Sequence, residues 1–487
     1  MKELRNYVAG QWLGSTKTFE KRSPFDGSLV ALVHEADRAM VDTAVDAGRA
    51  TALGQWGSLA IARRVAILRD LSARLKARVD DLIAAEVMDT GRSYWQARNF
   101  DGMRAIGVID AYCDLAMGLE NRSSTFAVEG GARGFWYTVR RPKGVIACIA
   151  PWNVPLLMML LKAAPALLMG NAVIAKPSEE TPSSCTLLAE IISQTDIPKG
   201  AFSMLHGHGA NSTGELLTSH PGVDAVMFTG ESSTGGAIMK SAANGLRDVA
   251  FELGGKNAAI VFDDAEMDRT IEGMTRAAFF NCGQICFCTE RAYVHRNRFD
   301  EFVARLSDAA RKIVIGQREH EGFSIDPLIS QGHRDKVMGL LATIEQDGGT
   351  IVQGGGIPVF DDARSRGSFV QPTIAIGLPE TARFIKSEVF GPVIHIRPFD
   401  EEEEVIALAN DSQYGLATSI WTNNVSRAHR VAPQIRVGHA WINSWQVRDL
   451  QSPLTGAGLS GIGEQFGRSS LEFCTQPQTI TVRVFEQ

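Results

Sequence analysis

From residue 144 onward the chain repeats one alternation, and that alternation limits the folds open to it. GVIACIA, NAVIAK, FSMLHG, DAVMFTG and DVAFEL are short β-branched or apolar runs, separated by helical stretches such as 182–194 and 234–244. This is the rhythm of a parallel doubly wound sheet, in which a nucleotide sits at the carboxyl ends of the strands. After Gly254-Gly255 the rhythm resumes with NAAIVF, a helical 267–280 and further β/α units to about 455, a second α/β lobe. Residues 57–90 read as long amphipathic helices, with Ile61, Val65, Leu68, Leu71 and Leu75 at three- and four-residue spacing. FWYTVRRP at 135–142 and TITVRVF at 479–485 alternate like strands outside this rhythm, as arms that pair with another lobe or subunit would.

At 487 residues the chain is too long for one ordinary core. With 45% apolar residues, 21% charged residues and 47 glycines it can bury large cores and turn tightly, as an α/β enzyme does. A formal net charge of -6 without a basic face argues against nucleic acid. The opening MKELRNYVAGQW has neither an apolar h-region nor a small-residue cleavage site, so the expected location is the cytoplasm. The most apolar stretch, VPLLMMLLKAAPALLMGNAVIA, is interrupted by Lys162 and Pro165. It is too short on either side of them to cross a bilayer and reads as a buried helix followed by a strand, so no membrane is expected as a partner. Asp400 to Glu404 start a helical pattern, with carboxylates at the positive end of the helix dipole.

Three of the seven cysteines, Cys282, Cys286 and Cys288, fall in FFNCGQICFCTER. Zinc needs three or four thiolate or imidazole ligands, usually in CxxC-type pairs, and this spacing has no second cluster, so no metal is expected. An odd number of cysteines spread over a cytoplasmic chain argues for free thiols. Small apolar thiols in a core are one reading. The other is a nucleophile, which needs a stabilised thiolate, an oxyanion partner and a base. IAPWNVP places Asn153 after an apolar strand, where its amide N–H could meet an oxyanion. FELGGK places Glu252 before a double glycine, and burial there would raise its pKa toward that of a general base. A surface glutamate in a turn fits the same residues.

PWNVP, AKPSEETP, FTGESSTG, FELGGKN, FFNCGQICFCTER and SEVFGPV, in this order along essentially the whole chain, resemble the aldehyde dehydrogenase superfamily. The resemblance implies an α/β fold with a Rossmann-type doubly wound cofactor domain, 1–117 with 142–253. It implies a second α/β catalytic domain, 254–460, and a small β oligomerisation arm, 118–141 with 470–487, in a homodimer or homotetramer. It selects Cys286 as nucleophile, leaves Cys282 and Cys288 as neighbours, and gives Asn153 to the oxyanion and Glu252 to the base. The implied reaction is oxidation of a small-molecule aldehyde to the acid through a thiohemiacetal and an acyl-enzyme.

Gly230 and Gly235, spaced GxxxxG in a strand-to-helix turn, are alone a weak sign of pyrophosphate at a helix N-terminus. The resemblance assigns them to a dinucleotide, with Glu231 standing where many members have serine. Lys176 and Glu179 follow the strand NAVIA; a carboxylate there accepts from ribose hydroxyls and repels a 2′-phosphate, favouring NAD with NADP possible. Glu388 and Phe390 in SEVFGP resemble the pair that positions the nicotinamide ribose and ring. Trp152 is either packing or a cofactor contact.

HIRPF, NSWQVRDL and RRPKGV look most like the 2-hydroxymuconic and 2-aminomuconic semialdehyde dehydrogenases, whose substrates carry a carboxylate. Arg104 and Arg448 could converge on that carboxylate; an exposed helix arginine and an Arg448–Asp449 neighbour pair are the plain alternative. PLTGAGLSG at 453–461 departs from the superfamily form at Thr455 and Gly458, which leaves other semialdehydes and aromatic or aliphatic aldehydes open. A CoA-acylating relative usually lacks the deacylating base that Glu252 would supply, and a phosphorylating one needs a catalytic histidine in a matching motif. A structural relative without activity should have lost Cys286, Glu252 or Asn153.

Overall fold

The computed structural model describes residues 2–129 and 132–484. Met1, residues 130–131 and the end of the last predicted strand, 485–487, lie outside the described residues. The apolar runs that follow residue 144 form five adjacent parallel strands. Their spatial order is Asp248–Glu252, Ala225–Thr229, Val145–Ile149, Ala172–Lys176 and Phe202–Met204. The chain order reverses between Val145–Ile149 and Ala225–Thr229, so the crevice at the carboxyl ends opens there. Antiparallel strands flank the five, Asn6–Val8 and Gln11–Leu13 on one side and Gly461–Ile462 on the other. The interrupted apolar stretch is the helix Pro155–Leu168, all of whose residues are buried, followed by the strand Ala172–Lys176. Among the described residues no helix is long and apolar enough to cross a membrane.

The second lobe is a seven-stranded sheet in the order Thr350–Gln353, Thr373–Ile376, Val393–Phe399, Thr289–His295, Asn257–Val261, Ala417–Trp421, His439–Ile442. Only the Thr350–Gln353 edge is antiparallel. One large apolar cluster gathers around the helices Ile61–Ala77, Met103–Met117 and Pro155–Leu168 and takes in Phe280, Phe287 and Trp441 of the second lobe; another gathers around Met267–Phe279 and Gln331–Gln346.

Arg133–Pro142 pairs antiparallel with Thr475–Val484 on one side and with Ser123–Ala127 on the other, in a three-stranded sheet apart from both lobes. The arm strand begins at Thr475; residues 470–473 finish the helix Gly467–Phe473, which is tied to the first lobe by Tyr112 Oη donating to Ser470 Oγ at 3.0 Å. The acidic run opens the helix Glu402–Asn410, where Glu402 pairs with Arg430 rather than standing free in solvent.

Candidate active site

The site residues sit at strand ends of the two sheets. Asn153, Glu179, Gly230 and Glu252 all follow or end carboxyl termini of first-lobe strands, whereas Cys286, Glu388 and Phe390 precede amino termini of second-lobe strands. Cys286 is half-buried, and its Sγ donates to Glu252 Oε1 at 3.3 Å. Glu252 is buried, and its Oε2 has no hydrogen-bond partner among the described residues. One carboxylate oxygen therefore faces the thiol proton while the other remains open to a second donor. Burial first, then the Glu252 carboxylate, push the Cys286 thiol well above its ordinary pKa, and Arg448 pulls it back. The resting sulfur is a thiol with its proton aimed at a carboxylate.

The other two cysteines in the segment have no such neighbour. Both are buried with their pKa values raised by desolvation, and Cys288 Sγ donates to the Phe280 carbonyl at 3.6 Å. All seven cysteines are free, and no three His, Cys, Asp or Glu side chains among the described residues gather as a metal site.

The nucleophile turn is held by amides. Asn257 Nδ2 donates to the carbonyls of Cys286 and Cys288 at 2.7 and 2.8 Å, and Gln284 Oε1 accepts from Ile329 N–H at 2.9 Å. Asn153 is buried and donates one amide N–H to the Gln284 carbonyl at 2.7 Å, which leaves the other for a substrate oxygen. Gly283, at φ +72°, is required: a Cβ there would lie 1.9 Å from the Gly391 carbonyl.

A helper absent from the sequence reading is Lys162, which had served only as an interruption of an apolar run. It is fully buried, donates to Thr229 Oγ1 at 2.7 Å, and burial lowers its pKa to about 8 while Glu252 pulls it up. Its partner lies 67 residues away in sequence, so no local pattern announces it.

The residues assigned to a dinucleotide line the same crevice. Glu179 is half-buried, 3.7 Å from Lys176 Nζ and 3.8 Å from His208 Nδ1, and helps to line a cavity of about 320 Å³. The helix Ser232–Ala243 starts beside Gly230 with no side-chain capping bond, so its first N–H groups are available to an anion. Glu231, its N-cap, is exposed, and Gly235 packs so closely on Leu253 that a Cβ would sit 2.9 Å away. Glu388 accepts from Gly255 N–H at 2.7 Å, and a Cβ on Gly254 would lie 2.3 Å from its carboxylate. Desolvation and the nearby Glu290 raise the Glu388 pKa to about 8. The Phe390 ring meets Trp152 edge-on at 5.3 Å, and His333 Nε2 donates to the Phe390 carbonyl at 2.8 Å. These groups fit a dinucleotide: a carboxylate for one ribose, an uncapped helix start for the diphosphate, and a second carboxyl with an aromatic wall at the far end.

Arg448 acts electrostatically on Cys286, and Arg104 on Arg448. Both arginines are half-buried, and neither makes an ion pair with any described residue. Arg448 has Phe287 and Phe466 rings 4.9 and 4.8 Å from its guanidinium carbon, and its Nη1 is enclosed without a partner. Burial and the positive charge of Arg104 lower its pKa to about 10, with Glu252 and Cys286 pulling the other way, so Arg104, Arg448 and the reacting pair share one electrostatic neighbourhood. Arg448 does not pair with Asp449, whose carboxylate instead accepts from Gln451 N–H. A separate cavity of about 500 Å³, lined by Trp95, Phe100, Phe280 and Phe323 among others, contains none of these residues.

A paired thiol and carboxylate beside a crevice that fits a dinucleotide supply the parts of a covalent oxidoreductase, and comparison gives its class. The Aldehyde dehydrogenase family model matches residues 12–480, and the chain belongs to that family; it is an NAD(P)-dependent aldehyde dehydrogenase. It is 46% identical over 484 residues to a 2-aminomuconic 6-semialdehyde dehydrogenase from a Pseudomonas species, covering 99% of each chain. It is also 46% identical over 486 residues to a 2-hydroxymuconic semialdehyde dehydrogenase from Pseudomonas, covering 99% of this chain and 100% of the other. The NAD+ complex of aldehyde dehydrogenase from Bacillus cereus superposes with a TM-score of 0.94 at 30% identity, covering 99% of this chain and 97% of that one.

Proposed function

We propose that this enzyme oxidises a carboxylate-bearing semialdehyde, of the 2-hydroxymuconate or 2-aminomuconate 6-semialdehyde kind, to the corresponding acid with NAD. The observation that carries the substrate class is a pair of guanidinium groups without anions: Arg448, whose charge acts on Cys286, and Arg104, whose charge acts on Arg448. A substrate carboxylate fits the in-plane N–H edges of such groups.

Glu252 takes the Cys286 proton along their hydrogen bond, and the thiolate attacks the aldehyde carbon. The free Asn153 amide N–H and the Cys286 backbone N–H hold the oxygen of the resulting thiohemiacetal. A bound nicotinamide would supply the hydride acceptor for the step from thiohemiacetal to thioester. Glu252 passes the thiol proton on to solvent and then removes a proton from water, whose oxygen attacks the thioester; the acid leaves, and the released thiolate regains a proton through Glu252. Lys176, Glu179, Gly230, Gly235, Glu388, Phe390 and Trp152 hold the dinucleotide, and the Glu179 carboxylate favours NAD over NADP. The chain works as a homodimer or homotetramer through its three-stranded arm, whose exposed Phe126, Phe135, Val482 and Val484 need cover, and its seven free thiols suit the cytoplasm.

The test is NAD reduction over a panel of carboxylated and neutral aldehydes. Selectivity for the carboxylated members supports the reading, and equal kcat/KM across the panel removes it. Cys286→Ala should abolish NADH formation, with Cys288→Ala retaining most of it.

A further inference from the structure

Arg448 is half-buried in an unusual manner. A guanidinium removed from water normally takes a carboxylate, but that partner would occupy the donors through which a substrate anion is recognised. Here two phenyl rings stand in the partner's place, at 4.9 and 4.8 Å, within the range of cation–π attraction. Rings attract the cation through its faces and take none of its in-plane N–H donors; Nη1, enclosed, has no hydrogen-bond partner.

Both rings are fixed by the structure around them. Phe466 has φ 67° and ψ 164°, a region that only glycine adopts without strain, at the start of the helix Gly467–Phe473. Its ring is nevertheless buried, 3% exposed. Phe287 follows the nucleophile directly, and its carbonyl accepts from Trp445 Nε1 at 2.9 Å while its ring meets Trp441 edge-on at 5.5 Å. Trp441 Nε1 in turn donates to the Val447 carbonyl at 2.9 Å. The loop bearing Arg448 leaves the far, carboxyl end of the strand His439–Ile442, and these two indole bonds fold it back onto the Cys286 segment. Gln446, at φ 57°, is a second strained residue in it.

We infer that Phe287 and Phe466 are positioning residues for Arg448, a pair of rings that keeps its guanidinium buried yet unpaired and so sets the preference for carboxylated aldehydes. The inference rests on the carboxylate reading of the site given above. The experiment compares the holoenzyme with the variants Phe466→Leu, Phe287→Leu with Phe466→Leu, and Arg448→Ala, using adipate semialdehyde and hexanal with saturating NAD. The two-ring variant should raise KM for adipate semialdehyde about tenfold more than KM for hexanal, with Phe466→Leu alone in between. Inhibition by adipate, competitive with the semialdehyde, should weaken in parallel. If Arg448→Ala shifts the KM ratio and the ring variants do not, the ring pair is irrelevant and the inference falls while the carboxylate reading stands. A fall in kcat of equal size on both substrates, with the KM ratio unmoved, likewise reduces the rings to packing. If Arg448→Ala itself leaves the ratio unchanged, the carboxylate reading fails and takes the inference with it.

Discussion

Lys256 and Arg448 are two cations withdrawn from water to different degrees, and they are treated in opposite ways. Lys256, fully buried, has both a ring and an anion: Phe384 lies 4.7 Å from its Nζ, and the Glu290 carboxylate is paired with it. Glu290 also accepts the N–H groups of Val389 and Phe390, so its lone pairs are filled. Arg448 has rings but no anion. Where the chain has to hold a loop in place, charge is cancelled internally. Where it has to receive a ligand, the cancelling charge is left to arrive from outside.

The largest expected effect breaks the first half of this contrast. Glu290→Ala strands the Lys256 ammonium without its anion and releases the SEVFGP loop, and breaking a buried pair from one side costs about 3–5 kcal/mol. Urea unfolding should show this loss, together with weaker NAD binding. Arg448→Ala should behave inversely. It removes a cation that has no partner, so stability should change by less than about 1 kcal/mol, whereas KM for adipate semialdehyde should rise about 100-fold. A large stability loss in Arg448→Ala would mean that its charge is already satisfied within the fold. Arg104→Gln tests whether the second guanidinium shares the load, with an expected rise of about tenfold. If both arginines hold one carboxylate, the double variant will fall short of the product of the two single effects.

The scaffold half was more legible in the sequence than the ligand half. Five apolar runs predicted five parallel strands because a strand buried on both faces writes its burial into contiguous residues. The arms were readable because alternation survives on an exposed sheet, and the two segments at 135–142 and 479–485 pair directly over their described residues. Asn153, Glu252 and Cys286 stood out by motif, and the structure brings Cys286 onto Glu252. What could not be read was any contact made by a single side chain across a long separation. Lys162 finds Thr229, and Arg448 finds Phe287 and Phe466, with nothing local to mark either. Phe466 in particular sits at a positive φ that sequence patterns reserve for glycine or asparagine, so its placement contradicts the usual signal.

The smallest expected effect lies at the sulfur of Cys286. The Cys286 thiol is raised by burial and by Glu252, and lowered by Arg448. Only the thiolate reacts with iodoacetamide, so alkylation of the cofactor-free enzyme should be slow near neutral pH and quicken as pH rises. Glu252→Gln removes the negative charge that disfavours the thiolate, so the sulfur's pKa falls and the alkylation profile moves to lower pH. Arg448→Ala removes the positive charge that favours it, and the profile moves to higher pH. The two shifts have opposite signs because the carboxylate and the guanidinium act on one atom from opposite sides. Shifts of the same sign would show that the variants act through packing around Cys286 rather than through charge.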